Sequence, residues 1–274
     1  MSEAQAAPVK PRLSATVMII RDAPEGIEVF MVVRHHKIEF ASGAIVFPGG
    51  SLDASDRDPR LRDVCDGIEG LSENVLATRV AAAREAFEEC GVLFARSPGS
   101  DAIIDGTRAK ALGARYRQRL EADEIGMADV ALEEGLRLAI DQLTHFAHWI
   151  TPDHMRKRFD THFYLAPAPG DHALVHDGNE AVDSQWIRPE EALAQAENGN
   201  LTMIFATRLN LERLAKSATV ADAIDKARGD TVVTVMPSMR KTDTGRILTI
   251  PVEAGYGGPD FIVEHSALAD NRKT

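Results

Sequence analysis

The chain has 274 residues, of which 44% are apolar, enough for a substantial core and too many for a disordered polypeptide. Its 31 Lys and Arg against 42 Asp and Glu leave a net charge of −11, which argues against a nucleic acid partner held by counterion release. Two cysteines, Cys65 and Cys90, with no CxxC and no Cys/His ligand spacing, give no disulfide framework and no structural zinc, and fit a reduced, cytoplasmic chain.

Residues 1–12 are polar and rich in Pro and Ala, without the apolar run of a signal peptide, and read as a flexible leader. No stretch approaches about 18 apolar residues, so no membrane span is expected. The β-rich runs 13–20 and 27–33 flank the turn signal DAPEG and predict a hairpin. After a loop over 34–43, the apolar run Ala44 to Phe47 leads into Pro48-Gly49-Gly50. A polar stretch over 51–72, broken by Pro59, Gly67 and Gly70, precedes the clearest helix, 73–90. Ser72 is its expected N-cap, and Gly91 is the expected residue beyond its C-terminus. Helices are predicted over 107–124 and 130–141, and strands over 145–150, 161–166 and 182–187. Further helices are predicted over 189–197, 204–216 and 219–228, and the runs 231–236 and 246–250 are expected to close the chain as a hairpin. This mixed order predicts an α+β fold rather than a regular βαβ array.

On a helical wheel centred on Glu85, the residues Leu76, Val80, Ala83 and Phe87 fall between roughly 160° and 220°. Glu85, Glu88 and Glu89 fall within roughly 60° of zero, on the opposite side. One face is therefore apolar, and the other gathers three carboxylates at i, i+3 and i+4, where like charges repel. They also occupy the last turn, where the helix dipole disfavours anions. The plain reading is a solvated charged face. The chemical reading is a seat for a hard divalent cation, Mg²⁺ or Mn²⁺, which seeks several carboxylate oxygens. Arg84 is placed to pair with Glu88 at i+4.

The order Arg84-Glu85-x-x-Glu88-Glu89-x-Gly91-Val92, preceded by a strand ending in Pro-Gly-Gly, resembles the second half of the Nudix hydrolase signature. The first half departs from it. Counting from Gly50, the acidic position falls on Asp56 instead of Glu, and 27 residues rather than seven separate it from Arg84. That spacing implies an insertion of 20 residues within 57–83. The stretch from Ser42 to Asp53, then Trp149-Ile150-Thr151-Pro152, Arg158-Phe159-Asp160-Thr161 and Glu180 through Pro189, is similar to the subgroup with an interrupted box. Coenzyme A diphosphatases of the Nudt19 type belong to that subgroup.

The resemblance implies an α/β/α sandwich with a mixed sheet over 13–216, helical insertions, and a C-terminal extension over 217–274 packed on the same domain. It implies an enzyme, a diphosphatase that hydrolyses a nucleoside diphosphate linked to another group. Coenzyme A or an acyl-CoA is the preferred substrate, giving phosphopantetheine and adenosine 3′,5′-bisphosphate. Another derivative, ADP-ribose or NADH, is the alternative, and a non-catalytic sensor module is the alternative of a different class. The implied metal ligands are Glu85, Glu88 and Glu89, with Glu85 also the base, the carbonyl of Gly49, and Glu180 from a distant loop. Arg34, Gly50 and Asp56 are expected near substrate, and Arg84 among the catalytic set. Residues 217–274 extend the sheet, cover its edge or make a homodimer contact.

Three other features read as ordinary. His145 and His148, three apart on a predicted strand, are expected on opposite faces, which disfavours a shared metal. Arg156, Lys157 and Arg158 read as a solvated loop cluster. Neither cysteine has a resolving partner in sequence.

Overall fold

The structure, a computed structural model, describes residues 9–34, 43–172, 174, 181–243 and 245–264. Strand β1 (Arg12–Ala23) turns at Gly26 into β2 (Gly26–Arg34), and the two pair antiparallel as the expected hairpin. The short strands β3 (Ile45–Val46) and β4 (Gly49–Ser51) flank the Pro-Gly-Gly turn. After a 3₁₀ turn at Ala54–Arg57 and the four-residue α1 (Leu61–Val64) comes α2 (Glu73–Cys90). The Ser72 hydroxyl caps α2 by accepting from Val75 N, and Gly91 ends it at φ 72°, a left-handed conformation cheap only for glycine.

Next come β5 (Ala95–Arg96), α3 (Gly106–Glu121), α4 (Met127–Glu134), β6 (Arg137–Leu138), β7 (Thr144–Ile150), β8 (Phe159–Pro167) and β9 (Ala181–Ile187). Helices α5 (Pro189–Glu197), α6 (Phe205–Leu214) and α7 (Val220–Gly229) follow. Strands β10 (Thr234–Val235), β11 (Ser238–Thr242), β12 (Gly245–Thr249) and β13 (Asp260–Glu264) complete the described chain. No described helix is long and apolar enough to cross a membrane.

The main sheet runs β10-β7-β8-β1-β2-β3, with β4 beside β1 and β9 beside β2. It is mixed: β1 and β8 are parallel, and β1 and β2 antiparallel. Alternate side chains of β1 enter different cores, as a period of two requires. Ala15, Val17 and Ile19 pack with α2, α3 and α4, whereas Met18 and Ile20 pack with α6 and α7. Two helical layers thus cover the two faces of one sheet. Ala223, Ile224 and Ala227 of α7 and Tyr256 belong to the second core, so residues beyond 216 share it with the rest of the chain.

Several sequence expectations change. The helix expected over 130–141 begins at Met127 and stops at Glu134, because Gly135 adopts φ 60° and Arg137–Leu138 then pairs with β5. The expected hairpin between 231–236 and 246–250 does not form. Instead β10 pairs parallel with β7, and β12 pairs with β11. Pro237 separates β10 from β11, and a residue without an N–H cannot continue a ladder.

His145 and His148 do not lie on opposite faces. A β-bulge at Phe146 shifts the register between β7 and β8, so that Phe146 and Ala147 both enter the second core. The extra residue returns His148 to the face that carries His145. Arg158 is no solvated loop residue either: it is 8% exposed, and it donates to the carbonyls of Val9 and Thr151.

Candidate active site

The polar face of α2 is not solvated. Arg84, Glu85, Glu88 and Glu89 are 4, 8, 7 and 7% exposed, so the helix is enclosed on its charged side as well as its apolar one. What encloses it is the β4 strand, the turn that follows, and α3. Arg84 stands at the centre. Its Nη1 lies 3.0 Å from Glu85 Oε1, 2.9 Å from Glu88 Oε2 and 3.2 Å from Asp53 Oδ2. Its Nε and Nη2 each lie 3.1 Å from an oxygen of Asp56, and Nη2 also donates to the Ser51 carbonyl at 3.0 Å. Asp56 is 1% exposed, and its Oδ2 accepts from Asp53 N at 2.9 Å.

Two adjacent glycines let the sheet approach these carboxylates. Gly49 N donates to Glu89 Oε2 at 3.0 Å. A Cβ on Gly49 would strike the Ala15 carbonyl and Thr16, and one on Gly50 would strike the Glu85 carboxylate. The turn therefore tolerates no side chain at either position without displacement.

Four carboxylates, from Asp53, Asp56, Glu85 and Glu88, share one guanidinium. Burial opposes the charge on Arg84, yet Glu85, Asp56 and Glu88 hold it above the ordinary arginine range. Burial pushes Glu88 up to about 7 despite the Arg84 charge. Burial also raises Asp53 against Arg84, and Asp56 and Asp123 add to the rise. Glu88 Oε1 is buried with no hydrogen-bond partner in the protein. A buried carboxylate oxygen without a partner is costly. Excess negative charge and an orphaned hard oxygen are what a divalent cation such as Mg²⁺ or Mn²⁺ would relieve, so the residues present fit one.

Asp53, Arg84, Glu85, Glu88 and Glu89 line a cleft of about 620 Å³, with Asp56 buried behind them. Ser14 and Thr16 of β1, Thr161 and Phe163 of β8, and Thr207 of α6 line it as well. Leu120, Glu121 and Asp123 reach it from the end of α3. The sequence motifs did not single out Asp53, Asp123 or Arg12, which also lines the cleft. Asp53 carries one usable signal, its position three residues before Asp56 in the turn. Asp123 has none, since only tertiary packing brings α3 to the cleft.

Of the residues expected in the site, Arg84, Glu85, Glu88, Glu89, Gly49, Gly50 and Asp56 converge. Arg34 ends β2, with its backbone paired opposite Ala181, and its side chain lies outside the described residues. Glu180 lies outside the described residues. Both cysteines are buried, and burial pushes the Cys65 thiol up to about 12.

Among solved structures, the chain resembles a Nudix hydrolase from Alicyclobacillus acidocaldarius. The TM-score is 0.64 and the identity 26%, with 79% of this chain and 96% of that one covered. The fold is that of a Nudix hydrolase, an enzyme class that cleaves phosphorus-containing anhydrides. Residues 66–214, more than half the chain, match the model of the NUDT19 Nudix domain, and the chain belongs to that family. It is 23% identical to the acyl-coenzyme A diphosphatase NUDT19 of Xenopus laevis over 90% of this chain and 76% of that protein. It is 28% identical to the human acyl-coenzyme A diphosphatase NUDT19 over 72% of this chain and 63% of that protein. A putative nudix hydrolase 7 of Caenorhabditis elegans is 27% identical over 69% of this chain and 56% of that protein.

Proposed function

We propose that this enzyme hydrolyses the diphosphate bond of coenzyme A or an acyl-CoA, with Mg²⁺ or Mn²⁺ held by Glu85, Glu88 and Glu89. The products are a phosphopantetheine and adenosine 3′,5′-bisphosphate. The observation that carries the reading is the buried carboxylate set on Arg84, with Glu88 Oε1 left without a partner at the cleft. The named activity of the frog and human relatives supports the choice of substrate.

A divalent cation in this seat supplies charge neutralisation for the diphosphate and polarisation of the attacking water. The chain's own residues prepare the seat. Asp56 clamps Arg84 through two nitrogens, and Arg84 in turn fixes the directions of Glu85 and Glu88. Gly49 N–H orients Glu89, and the bare Cα of Gly50 leaves room for Glu85, the proposed base. The Gly49 carbonyl is the proposed backbone ligand, Glu180 the proposed loop acid, and Arg34 the proposed phosphate contact. Asp56 acts here as a positioning residue in place of the glutamate of the uninterrupted signature.

The test is a hydrolysis screen with Mg²⁺ or Mn²⁺ against coenzyme A, acyl-CoA, ADP-ribose, NADH and dinucleoside polyphosphates. Cleavage of coenzyme A or acyl-CoA, lost in Glu88→Gln and Glu89→Gln, is expected. Faster cleavage of ADP-ribose or NADH would move the substrate assignment. Full activity in Glu85→Gln, Glu88→Gln and Glu89→Gln would place the site elsewhere.

A further inference from the structure

A second group of ligating side chains lies away from the cleft, and the proposed reaction uses none of it. Thr161 and Phe163 of β8 face the cleft, so by alternation Asp160 and His162 face the other side of the sheet. There they meet His145 and His148, which the bulge at Phe146 has brought onto one face. His148 Nε2 is 2.5 Å from Asp160 Oδ1, and His162 Nδ1 is 3.1 Å from His145 Nε2. The rings of His148 and His162 stack with centroids 4.1 Å apart and planes 14° apart. One ligand atom each from His148, Asp160 and His162 lies within 4.8 Å of the others, and all three residues are half-buried.

We propose that His148, Asp160 and His162, with His145 beside them, form a second metal site for a borderline transition ion such as Zn²⁺. Imidazole nitrogens with one carboxylate oxygen are the donors such an ion selects, whereas Mg²⁺ selects the all-oxygen set of the cleft. A tetrahedral ion with bonds of about 2.0–2.1 Å spaces its ligand atoms about 3.3 Å apart. The His162 Nδ1 to His145 Nε2 separation, 3.1 Å, is close to that value, and His148 Nε2 and Asp160 Oδ1, now 2.5 Å apart, would separate to admit the ion. The stacked rings are nearly parallel, so one of them would turn about χ2 for both to address the same ion.

The second coordination partner is also present. His148 Nδ1 lies 2.8 Å from Thr234 Oγ1. With an ion bound, Nδ1–H would donate to that hydroxyl and leave the Nε2 lone pair, beside the Asp160 carboxylate, for the metal. A hydrogen bond on the remote nitrogen is how a ligating histidine is normally oriented. The ion would tie β7, β8 and, through Thr234, β10 together at one end of the sheet.

The test uses the full chain, freed of metal by chelation and then held in excess Mg²⁺, titrated with Co²⁺ as an optical probe. One equivalent is expected to give the intense visible bands of a low-coordinate site and to raise the melting temperature. His148→Ala and His162→Ala are each expected to abolish the bands, and Asp160→Asn to weaken binding at least tenfold. Wild-type protein without such bands overturns the proposal, as do bands that survive both histidine substitutions. Bands lost instead in Glu88→Gln or Glu89→Gln would assign the ion to the cleft and also overturn it. Should the histidine variants not fold, imidazole ¹⁵N spectra of the wild type decide: ring nitrogens of His148 and His162 shift on adding Zn²⁺, or the site does not exist.

Discussion

Asp56 and Arg84 form a two-point ion pair inside the protein, with both N–O distances 3.1 Å, between residues 28 apart in sequence. The pair joins the turn after β4 to the second half of α2. Removing Asp56 leaves Arg84 compensated by Asp53, Glu85 and Glu88 but takes away its charge-assisted hydrogen bonds, at a cost of about 1.5–3 kcal/mol. Asp56→Ala is therefore expected to lower the denaturation midpoint by that much free energy, measured by urea unfolding. Released from Asp56, Arg84 no longer fixes Glu85 and Glu88, and kcat is expected to fall further than KM rises.

Gly50→Ala tests the approach of sheet to helix. The added methyl meets the Glu85 carboxylate and not a backbone atom, so the fold survives while Glu85 shifts. A displacement of about 1 Å in a positioned group costs on the order of 100-fold in rate. The expectation is a loss of that size in kcat with a circular dichroism spectrum unchanged.

Glu88 gives a pH prediction for the chelated protein. Its folded pKa, about 7, stands above the ordinary glutamate value of 4.5. Between those values the folded state binds more protons than the unfolded one, so this group makes stability fall as pH rises. His145 and His162 act oppositely. Their folded values of about 4 lie below 6.5, so they lower stability as pH falls through that window. The wild-type profile contains both slopes. Subtracting the Glu88→Gln profile isolates the carboxylate: relative to wild type, the variant should gain stability from pH 4.5 to 7. Added Mg²⁺ should shrink that gain by favouring the ionised carboxylate.

Tyr256 tests whether the C-terminal segment unfolds with the rest. Its hydroxyl donates to Asn210 Oδ1 at 2.7 Å and accepts from Trp149 Nε1 at 3.1 Å. Asn210 is fully buried, and its Nδ2 already lacks a partner. Tyr256→Phe leaves two buried polar groups unsatisfied, at a cost of about 1–3 kcal/mol each. A single unfolding transition shifted as a whole is expected. Two transitions, with only one of them shifted, would mean that residues 217–274 form a separate unit.

The most legible parts of the chain were those set by neighbours in sequence. Helix α2 could be read to its ends because Ser72 and Gly91 act on backbone groups within a turn of themselves. Glu85, Glu88 and Glu89 could be grouped because helical periodicity alone places them together. The hairpin of β1 and β2 was legible for the same reason, its turn being local. The burial of the charged face of α2 was not legible, because it depends on what β4, its following turn and α3 bring against it.

Sequence local to α2 was thus enough to specify the carboxylate triad and the chemistry it suits. It left open whether those carboxylates faced water, which acid balanced Arg84, and where His145 and His148 pointed. Tertiary contacts answered all three. Asp56 reaches Arg84 across an insertion whose path no periodicity encodes. The bulge at Phe146 inverts the facing of His148 because a one-residue register shift, set by packing between β7 and β8, moves every later side chain to the other face.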